Sequence, residues 1–408
     1  MEEFIKTILT EEDQAWLNST YDKLLVKMKR ECERVGTMIP YSPRDGRYHD
    51  LDFGTTGEEA VKKGKSPLLC YWTNGFWPGM LWQMYQATGD EAYRTAAEGV
   101  EARIVSNLVQ IDRAGHDIGF VLLPSAVANY RKTGNPQSRE DALIAAQTLA
   151  GRYNSAGRYI RAWNDSEILE KMMGGGVPIS GWMIIDCMMN IPLLFWASET
   201  TKDPRYAQIA LNHAKTAQQY IARGDGSSNH IVRFNPETGE FLDAPGGQGY
   251  GIGSAWSRGQ SWALYGFALA YRHTGDESFL TTAKRAAHYV ISSMAVTDWL
   301  PLVDYRAPAE PVKYDTTSSM ISACGLLEIA EHVPEHEKRL YVQAALKMLR
   351  ACDQKFCNWD PEVDSIVDGG TYFYNDPDGS NTEVPIIYSD YYFIEALLRL
   401  RGDSLFIW

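Results

Sequence analysis

The chain lacks the patterns that would tie it to nucleic acid, a membrane or a metal. Its 39 Lys and Arg residues stand against 52 Asp and Glu, so the formal net charge is −13 and polyanionic partners are disfavoured. There is no uncharged apolar run of about 18 residues, which argues against a membrane span. The six cysteines are scattered, without the spacing of a zinc site or a disulfide framework, and we expect no metal and no cofactor.

Targeting and linker signals are missing as well. The first residues, Met1 to Asp13, lack the basic start and the long apolar stretch of a secretory signal, which favours a cytoplasmic protein. No low-complexity linker interrupts the chain, so residues 1–408 are predicted to form a single domain. The sequence leaves the oligomeric state open.

A repeated helical hairpin is the main feature that is present. Apolar residues at three- and four-residue spacing predict twelve helices, at residues 11–35, 76–88, 91–109, 119–132, 137–153, 187–200, 204–222, 258–273, 277–295, 316–332, 335–355 and 389–401. Several pairs are joined by a turn in which Gly suits a left-handed helix end and Asp or Asn caps the next helix. These turns are Thr88-Gly89-Asp90, Thr133-Gly134-Asn135, Thr274-Gly275-Asp276 and the degenerate Thr201-Lys202-Asp203.

The order of helix types predicts how the hairpins assemble. After the first helix, each apolar helix is followed by one with a charged face, and the last helix, 389–401, is of the apolar type without a follower. Pairing the first helix with the last closes six hairpins into an all-α (α/α)6 barrel, while an open superhelix is the alternative. The long connections all precede apolar helices and should lie at one rim, and one of them contains a predicted β-hairpin at 231–242.

Asp186 is the residue around which a candidate site can be built. In the stretch 181–197, Asp186 and Asn190 are the only strongly polar side chains. Burial raises the pKa of a carboxyl group, and a carboxyl that keeps its proton near neutral pH can act as a general acid. A second acid in a similar setting is Asp117, although each could also be a helix cap or a paired core residue.

The predicted starts of the six inner helices carry polar and aromatic side chains. They include Trp72, Asn74, Asp117, Asp186, Arg258 and Trp262, and the connection 223–257 adds His230 and Gln248. Tryptophan faces beside Asp and Asn side chains are typical of sugar-binding pockets. Each tryptophan could instead be core packing, and His230 could be an idle loop residue. The coincidence of so many at one rim favours a saccharide pocket.

Five motifs resemble the unsaturated glucuronyl hydrolases, glycoside hydrolase family 88, from about Ile39 to Leu400. They are Trp72-Thr-Asn-Gly-Phe-Trp77, His116-Asp-Ile-Gly-Phe120, Arg161-Ala-Trp163, Asp186-Cys-Met-Met-Asn190 and Trp256-Ser-Arg-Gly-Gln-Ser-Trp262. The resemblance implies the same barrel, with Asp186 as general acid/base and Asp117 as second essential carboxylate. It also implies a sugar subsite lined by Trp72, Asn74, Trp163, His230, Gln248, Arg258 and Trp262.

The resemblance further implies a reaction. Members of the family remove a 4,5-unsaturated uronic acid from the non-reducing end of the oligosaccharides that polysaccharide lyases release. Asp186 would protonate C4 of the vinyl ether, water would add at C5, and the hemiketal would collapse. We expect the substrate carboxylate to contact Arg258 or nearby amides. Gly247 and the loop Asn375–Ser380 depart from what is expected of members that prefer sulfated chondroitin units, so unsulfated products of hyaluronan, chondroitin, gellan or xanthan are expected.

Three other functions remain open from the sequence. The related unsaturated rhamnogalacturonyl hydrolases share the fold and the chemistry but act on pectin fragments. A sugar epimerase of similar shape would use His as its acid and base, and the chain has only 8 His. A non-catalytic sugar-binding repeat would leave two acids in apolar surroundings, at a cost in folding free energy and without a purpose.

Overall fold

The computed structural model describes residues 7–51, 71–106, 115–164 and 177–408, and twelve α-helices form its framework. They are α1 (Glu11–Val35), α2 (Phe76–Thr88), α3 (Glu91–Val105), α4 (Ile118–Leu122, continued by a π-helical turn at Leu123–Val127 and by Ala128–Thr133), α5 (Pro136–Ala150), α6 (Pro192–Thr201), α7 (Pro204–Tyr220), α8 (Ser257–Thr274), α9 (Glu277–Ala295), α10 (Thr316–His332), α11 (Glu335–Phe356) and α12 (Ile387–Arg401). All twelve predicted helices are found, although the predicted end of the fifth at 153 is wrong, since α5 ends at Ala150 and Tyr153 lies in a short strand. The predicted end of the third, 107–109, lies outside the described residues.

The four short turns have the predicted geometry. The residue that ends the first helix of each hairpin is left-handed, with φ of +70° at Gly89, +75° at Gly134, +67° at Gly275 and +63° at Lys202. The following residue caps the next helix by accepting a backbone hydrogen bond, as Asp90, Asn135, Asp203 and Asp276 do. Each turn therefore reverses the chain within a few residues, and successive inner helices run in the same direction.

The inner helices form a closed ring. α2 packs against α4, α4 against α6, α6 against α8, α8 against α10, α10 against α12, and α12 packs back against α2. The helices α3, α5, α7, α9 and α11 each lie outside the inner helix that precedes them, and α1 lies outside α12. This confirms the (α/α)6 barrel and excludes the open superhelix. Because the inner helices are parallel, their N-termini and the long connections share one rim.

The segment around Asp186 differs from the prediction. The sequence predicts a helix from residue 187, but Trp182–Ile184 is a strand, Ile185–Met189 is a 3-10 turn, and α6 begins only at Pro192. Proline has no backbone N–H to donate and is favoured at the first turn of a helix, which sets the start of α6. Asp186 thus lies in a tight turn after a strand.

A small antiparallel sheet holds that strand in place. The predicted hairpin at 231–242 is confirmed as strands Ile231–Phe234 and Phe241–Asp243. The strand Trp182–Ile184 adds to it, in a register that pairs Trp182 with Arg233. The sheet therefore ties the turn with Asp186 to the connection that carries His230.

One apolar cluster fills the barrel and extends from Leu17 to Trp408. Trp408 is 1% exposed, its ring stacks on Tyr392 at 5.9 Å, and its Nε1 donates to Oε2 of Glu395 at 2.8 Å. This contact with α12 was not foreseen from the sequence. Within the described ranges no helix is both long and apolar enough to cross a membrane. The assignment of residues 1–408 to one domain stays a prediction.

Candidate active site

Two carboxyl groups from different hairpins meet at the rim where the inner helices begin. Asp117 immediately precedes α4, and Asp186 lies in the turn before α6. One side-chain amide joins them, since Nδ2 of Asn190 lies 3.3 Å from Oδ1 of Asp117 and 3.1 Å from the carbonyl oxygen of Asp186. The side chains of Asp117 and Asp186 are 21% and 17% exposed, so both are mostly buried and still reach the solvent.

Burial changes the protonation of both acids. It raises the pKa of Asp117 to about 8, and the nearby charge of Asp186 adds to that rise. It also raises the pKa of Asp186 to about 6, against the opposing charge of Arg258. Two acids this close titrate as a pair, so the pair retains one proton through the neutral range. One group can then donate a proton while the other is a charged carboxylate.

Two neutral imidazoles flank the acids. Nε2 of His116 lies 3.3 Å from Oδ1 of Asp117, and Nε2 of His230 lies 3.6 Å from Oδ2 of Asp186. Burial lowers the pKa of His116 well below its usual value and that of His230 to about 3, so neither is charged at neutral pH. Nδ1 of His230 accepts a hydrogen bond from the backbone N–H of Gln248 at 3.1 Å, so its hydrogen is on Nε2 and faces Asp186.

Arg258 is buried and largely satisfied within the protein. Its Nη1 donates to Oδ2 of Asp315 at 2.9 Å and to the carbonyl oxygen of Thr371 at 2.6 Å. Its Nη2 donates to the carbonyl oxygen of Tyr372 at 2.6 Å, which also accepts from Nε2 of Gln248 at 2.7 Å. Asp315 therefore compensates the guanidinium charge. Arg258 and Gln248 both donate to the carbonyl oxygen of Tyr372, so one loop residue holds both side chains in place.

Trp72 and Asn74 lie beside the start of α4. Trp72 is half-buried, and its ring centroid is 5.6 Å from that of Phe120 and 4.8 Å from that of Tyr388. Asn74 is 1% exposed and precedes Gly75, where a Cβ atom would lie only 2.2 Å from the carbonyl oxygen of Phe120. Glycine thus permits the close approach that brings Asn74 to α4.

The other two tryptophans differ in burial. The backbone N–H of His116 donates to the carbonyl oxygen of Ala162 at 2.8 Å, which brings half-buried Trp163 next to the segment with Asp117. Trp262 is fully buried with its ring 5.1 Å from Phe120, and its Nε1 has no hydrogen-bond partner in the described ranges. A buried N–H of this kind is available to a water molecule or a ligand.

Three polar residues organise this region although the sequence had given them no role: Asn190, Asp315 and Asp304. Asp304 is 2% exposed and accepts the backbone N–H groups of Tyr250 and Ala255, each at 3.0 Å. It therefore fixes the middle of the Gly-rich loop, residues 246–253, and the segment just after that loop. Asn190 stood in one of the five motifs and Asp315 immediately precedes the inner helix α10, but no local pattern distinguishes Asp304 from a solvated loop acid.

The described residues contain no cluster of three or more His, Cys, Asp or Glu side chains that could hold a metal ion. The carboxylates of Asp117, Asp186 and Asp315 instead lie against amide, imidazole and guanidinium groups. The expectation that the protein needs neither metal nor cofactor stays a prediction.

Known proteins resemble this chain in sequence and in architecture. The sequence profile of Glycosyl Hydrolase Family 88 matches residues 52–297. The unsaturated glucuronyl hydrolase of Bacillus sp. (strain GL1) is 37% identical over 345 residues, which make up 83% of this chain and 88% of that protein. The chain therefore belongs to glycosyl hydrolase family 88, and it is a glycoside hydrolase rather than an epimerase or a binding module.

Solved structures agree with that assignment. An unsaturated glucuronyl hydrolase from Bacillus sp. GL1, described as responsible for the degradation of glycosaminoglycan, superposes with a TM-score of 0.82 at 34% identity, covering 95% of this chain and 97% of that one. A mutant of the unsaturated glucuronyl hydrolase from Streptococcus agalactiae, complexed with dGlcA-GalNAc6S, superposes with a TM-score of 0.77 at 28% identity. This match covers 96% of this chain and 93% of that one.

Proposed function

We propose that the protein releases 4,5-unsaturated glucuronic acid from the non-reducing end of lyase-generated oligosaccharides. The observation that carries this proposal is the bridged pair of buried acids, Asp117 and Asp186, which share one proton at neutral pH. Hydration of a vinyl ether needs an acid that can protonate a carbon of the double bond. It also needs a negative charge close to the cation that forms. The names of the relatives and the ligand of one of them support the same substrate class.

The two pKa values favour the proton on Asp117, so the reactive form is the less populated one, in which the proton is on Asp186 and Asp117 is ionised. In the proposed reaction Asp186 transfers this proton to C4, and positive charge develops at C5 and on the ring oxygen. The ionised Asp117 stabilises this charge and holds the sugar hydroxyls. Asp186, now a carboxylate, takes a proton from water as the water oxygen adds to C5. The hemiketal then opens and the aglycone leaves from C1, so that one water molecule is consumed. The carboxylate-spacing rule for retaining and inverting glycosidases does not apply to this chemistry.

The proposed sugar subsite consists of Trp72, Asn74, Trp163, His230, Gln248, Arg258 and Trp262. His230 directs its Nε2 hydrogen toward the reacting centre and can donate to the substrate. Arg258 has five guanidinium hydrogens, of which those on Nη1 and one on Nη2 are used within the protein. Among the described residues the Nε hydrogen and the second Nη2 hydrogen have no acceptor, and we assign them to the substrate carboxylate.

We also propose a preference for unsulfated substrates. The C-terminal loop Asn375–Ser380 is attached to the Gly-rich loop, since Nδ2 of Asn375 donates to the carbonyl oxygen of Tyr250 at 3.3 Å. This loop carries Asp376 and Asp378 and no basic residue, so it would repel a sulfate group.

We also propose that the protein is a cytoplasmic enzyme, which would act on short unsulfated oligosaccharides.

The test is a substrate panel followed by the loss of enoate ultraviolet absorbance. It contains unsaturated disaccharides from hyaluronan, unsulfated chondroitin and 6-sulfated chondroitin, an unsaturated gellan or xanthan fragment, and an unsaturated rhamnogalacturonan fragment. We expect turnover of the unsulfated glucuronyl substrates and at least about tenfold lower kcat/KM on the sulfated disaccharide, because a like charge nearby costs at least about 1.4 kcal/mol. Turnover of the rhamnogalacturonan fragment alone would replace the proposal with the pectin-directed alternative.

The pH profile should report the shared proton. We expect kcat/KM to be highest between about pH 6 and about pH 8, because only there does the pair hold a single proton. Outside this range kcat/KM should fall about tenfold for each pH unit. In Asp117→Asn the residual activity should lose the acidic limb, because only Asp186 still titrates. A wild-type rate that rises steadily to pH 9 would contradict the shared-proton mechanism.

Gly247 should be intolerant of a side chain. It has φ of +119°, and a Cβ atom there would lie 2.2 Å from Nδ1 of His230. We expect Gly247→Ala to displace His230 and to lower kcat/KM by about 10- to 100-fold, as small misplacements in active sites do. Gly251→Ala in the same loop is the control, since its Cβ would meet nothing within 4 Å. Equal effects of the two substitutions would show that the loop, rather than His230, is responsible.

A further inference from the structure

Asn190 is the one side chain in the described structure that hydrogen-bonds to both acidic residues. It is fully buried and follows the 3-10 turn that carries Asp186. Its Oδ1 accepts the backbone N–H of Phe120 at 2.7 Å, and its Nδ2 donates to Oδ1 of Asp117 and to the carbonyl oxygen of Asp186. The oxygen and the NH2 group of this side chain are therefore both engaged in hydrogen bonds within the protein.

The orientation of this amide is fixed by its partners. A backbone N–H can only donate, so the side-chain oxygen of Asn190 must face Phe120 and its NH2 group must face Asp117. Gly119 makes this possible, because a Cβ atom there would lie 2.6 Å from Cα and 2.7 Å from Oδ1 of Asn190. The turn and α4 are thus in direct contact, and Asn190 cannot rotate without breaking the bond to the backbone of α4.

We propose that Asn190 is a positioning residue that acts through Asp117, shifting the proton shared by the two carboxylates away from Asp117 and toward Asp186. A donor directed at Asp117 stabilises its ionised form, which raises the fraction of molecules in which the proton is on Asp186. The same bond holds Asp117 beside the turn that carries Asp186. This inference rests on the proposed function, in which Asp186 is the acid and Asp117 the charged partner.

Other charged or titratable groups face the pair from every side. His116 contacts Asp117, and Arg152, two residues after the end of α5, lowers the pKa of Asp117 through its charge. His230 and Arg258 act on Asp186 from the sheet and from α8. The thiol of Cys187 is held protonated by burial, so it adds no charge. Among these groups Asn190 is the neutral one that donates to Asp117 and is also anchored to the backbone of α4.

Two substitutions separate this role from simple support of the fold. Asn190→Leu keeps the approximate volume and removes the donor, so we expect kcat/KM to fall by about 10- to 100-fold, the usual effect of a hydrogen bond to a charged group. Its alkaline limb should also move to higher pH, because Asp117 then holds its proton more tightly. Asn190→Asp can donate to Asp117 only when protonated, so it should exceed Asn190→Leu below about pH 6 and fall behind it at higher pH.

Asn129 supplies the matched control. It is 1% exposed in α4 and its Nδ2 donates to Oε2 of Glu101 at 2.8 Å, so it too joins a buried carboxylate, but away from the rim. Asn129→Leu and Asn129→Asp should lower stability without moving either limb of the pH profile. If Asn190→Leu also lowers the rate with both limbs unmoved, Asn190 is only structural and the proposal is wrong.

A readout without substrate keeps the test independent of the proposed function. If Asp117 binds its proton more tightly in the folded Asn190→Leu protein, that protein loses more stability as pH rises. Its thermal unfolding midpoint should therefore drop further between pH 6 and pH 9 than that of the unsubstituted chain. An equal drop in both proteins would overturn the proposal. If the drop is larger while no unsaturated sugar is turned over, the proposed function fails and the role of Asn190 stands.

Discussion

Replacing Asp186 with asparagine is expected to lower kcat by about 100- to 10,000-fold on an unsaturated disaccharide, the range over which general acid–base groups contribute. An amide has the shape of the acid but cannot protonate C4 or activate the water. Substrate affinity should change little, because the sugar is bound mainly by other residues. The measurement is the loss of enoate absorbance at saturating substrate, with KM determined alongside.

The same variant carries its own control for folding. The pKa of Asp186 is raised from 3.8 to about 6, so the folded protein loses stability as pH rises through that interval. Asparagine removes this penalty, and Asp186→Asn should be more stable than the parent above pH 6 by at most about 3 kcal/mol, at about 1.4 kcal/mol for each pKa unit. The difference should vanish below about pH 4. Turnover within tenfold of the parent in a stable variant would exclude Asp186 as the acid.

The barrel could be predicted because its determinants are local. A Gly in the left-handed conformation followed by a capping Asp, as at Gly89 and Asp90, marks a hairpin within three residues of sequence. The alternation of apolar and charged-face helices then orders the hairpins into inner and outer rings. The turn that lacks glycine, Thr201-Lys202-Asp203, has the same geometry, since Lys202 takes the left-handed conformation.

The parts of the site that were missed depend on distant contacts. The strand before Asp186 exists because it pairs with the strand 231–234 about 50 residues later, and its apolar residues read equally well as the start of a helix. The bond from Asn190 to Asp117 joins residues 73 apart, and that from Arg258 to Asp315 joins residues 57 apart. A single sequence identifies such residues as polar in apolar surroundings, but it does not identify their partners.

Removing Asp315 is expected to be the most destabilising single change at the rim. Arg258 and Asp315 form an ion pair with side chains 3% and 0% exposed, so Asp315→Ala leaves a buried guanidinium without a counter-charge. Breaking such a pair costs about 3–5 kcal/mol. Asp315 also caps α10 through the backbone N–H of Thr317, and that contribution has to be separated from the ion pair.

The start of α7 offers the control for the cap. Asp203 caps that helix and pairs with Arg205 at 3.1 Å, but these side chains are 39% and 60% exposed. Asp203→Ala should therefore cost only the cap, about 1 kcal/mol. Urea unfolding of both variants gives the two free energies, and their difference isolates the buried charge. A difference under about 1 kcal/mol would contradict this account.

The double variant then tests whether Arg258 also acts on the acids. In Arg258→Met with Asp315→Asn no buried charge is left unpaired, so the double variant should be more stable than the sum of the two single changes predicts. Its residual activity should have an acidic limb above about pH 6, because the positive charge that lowers the pKa of Asp186 is gone. If stability recovers and the acidic limb stays in place, Arg258 supports the loop and does not tune Asp186.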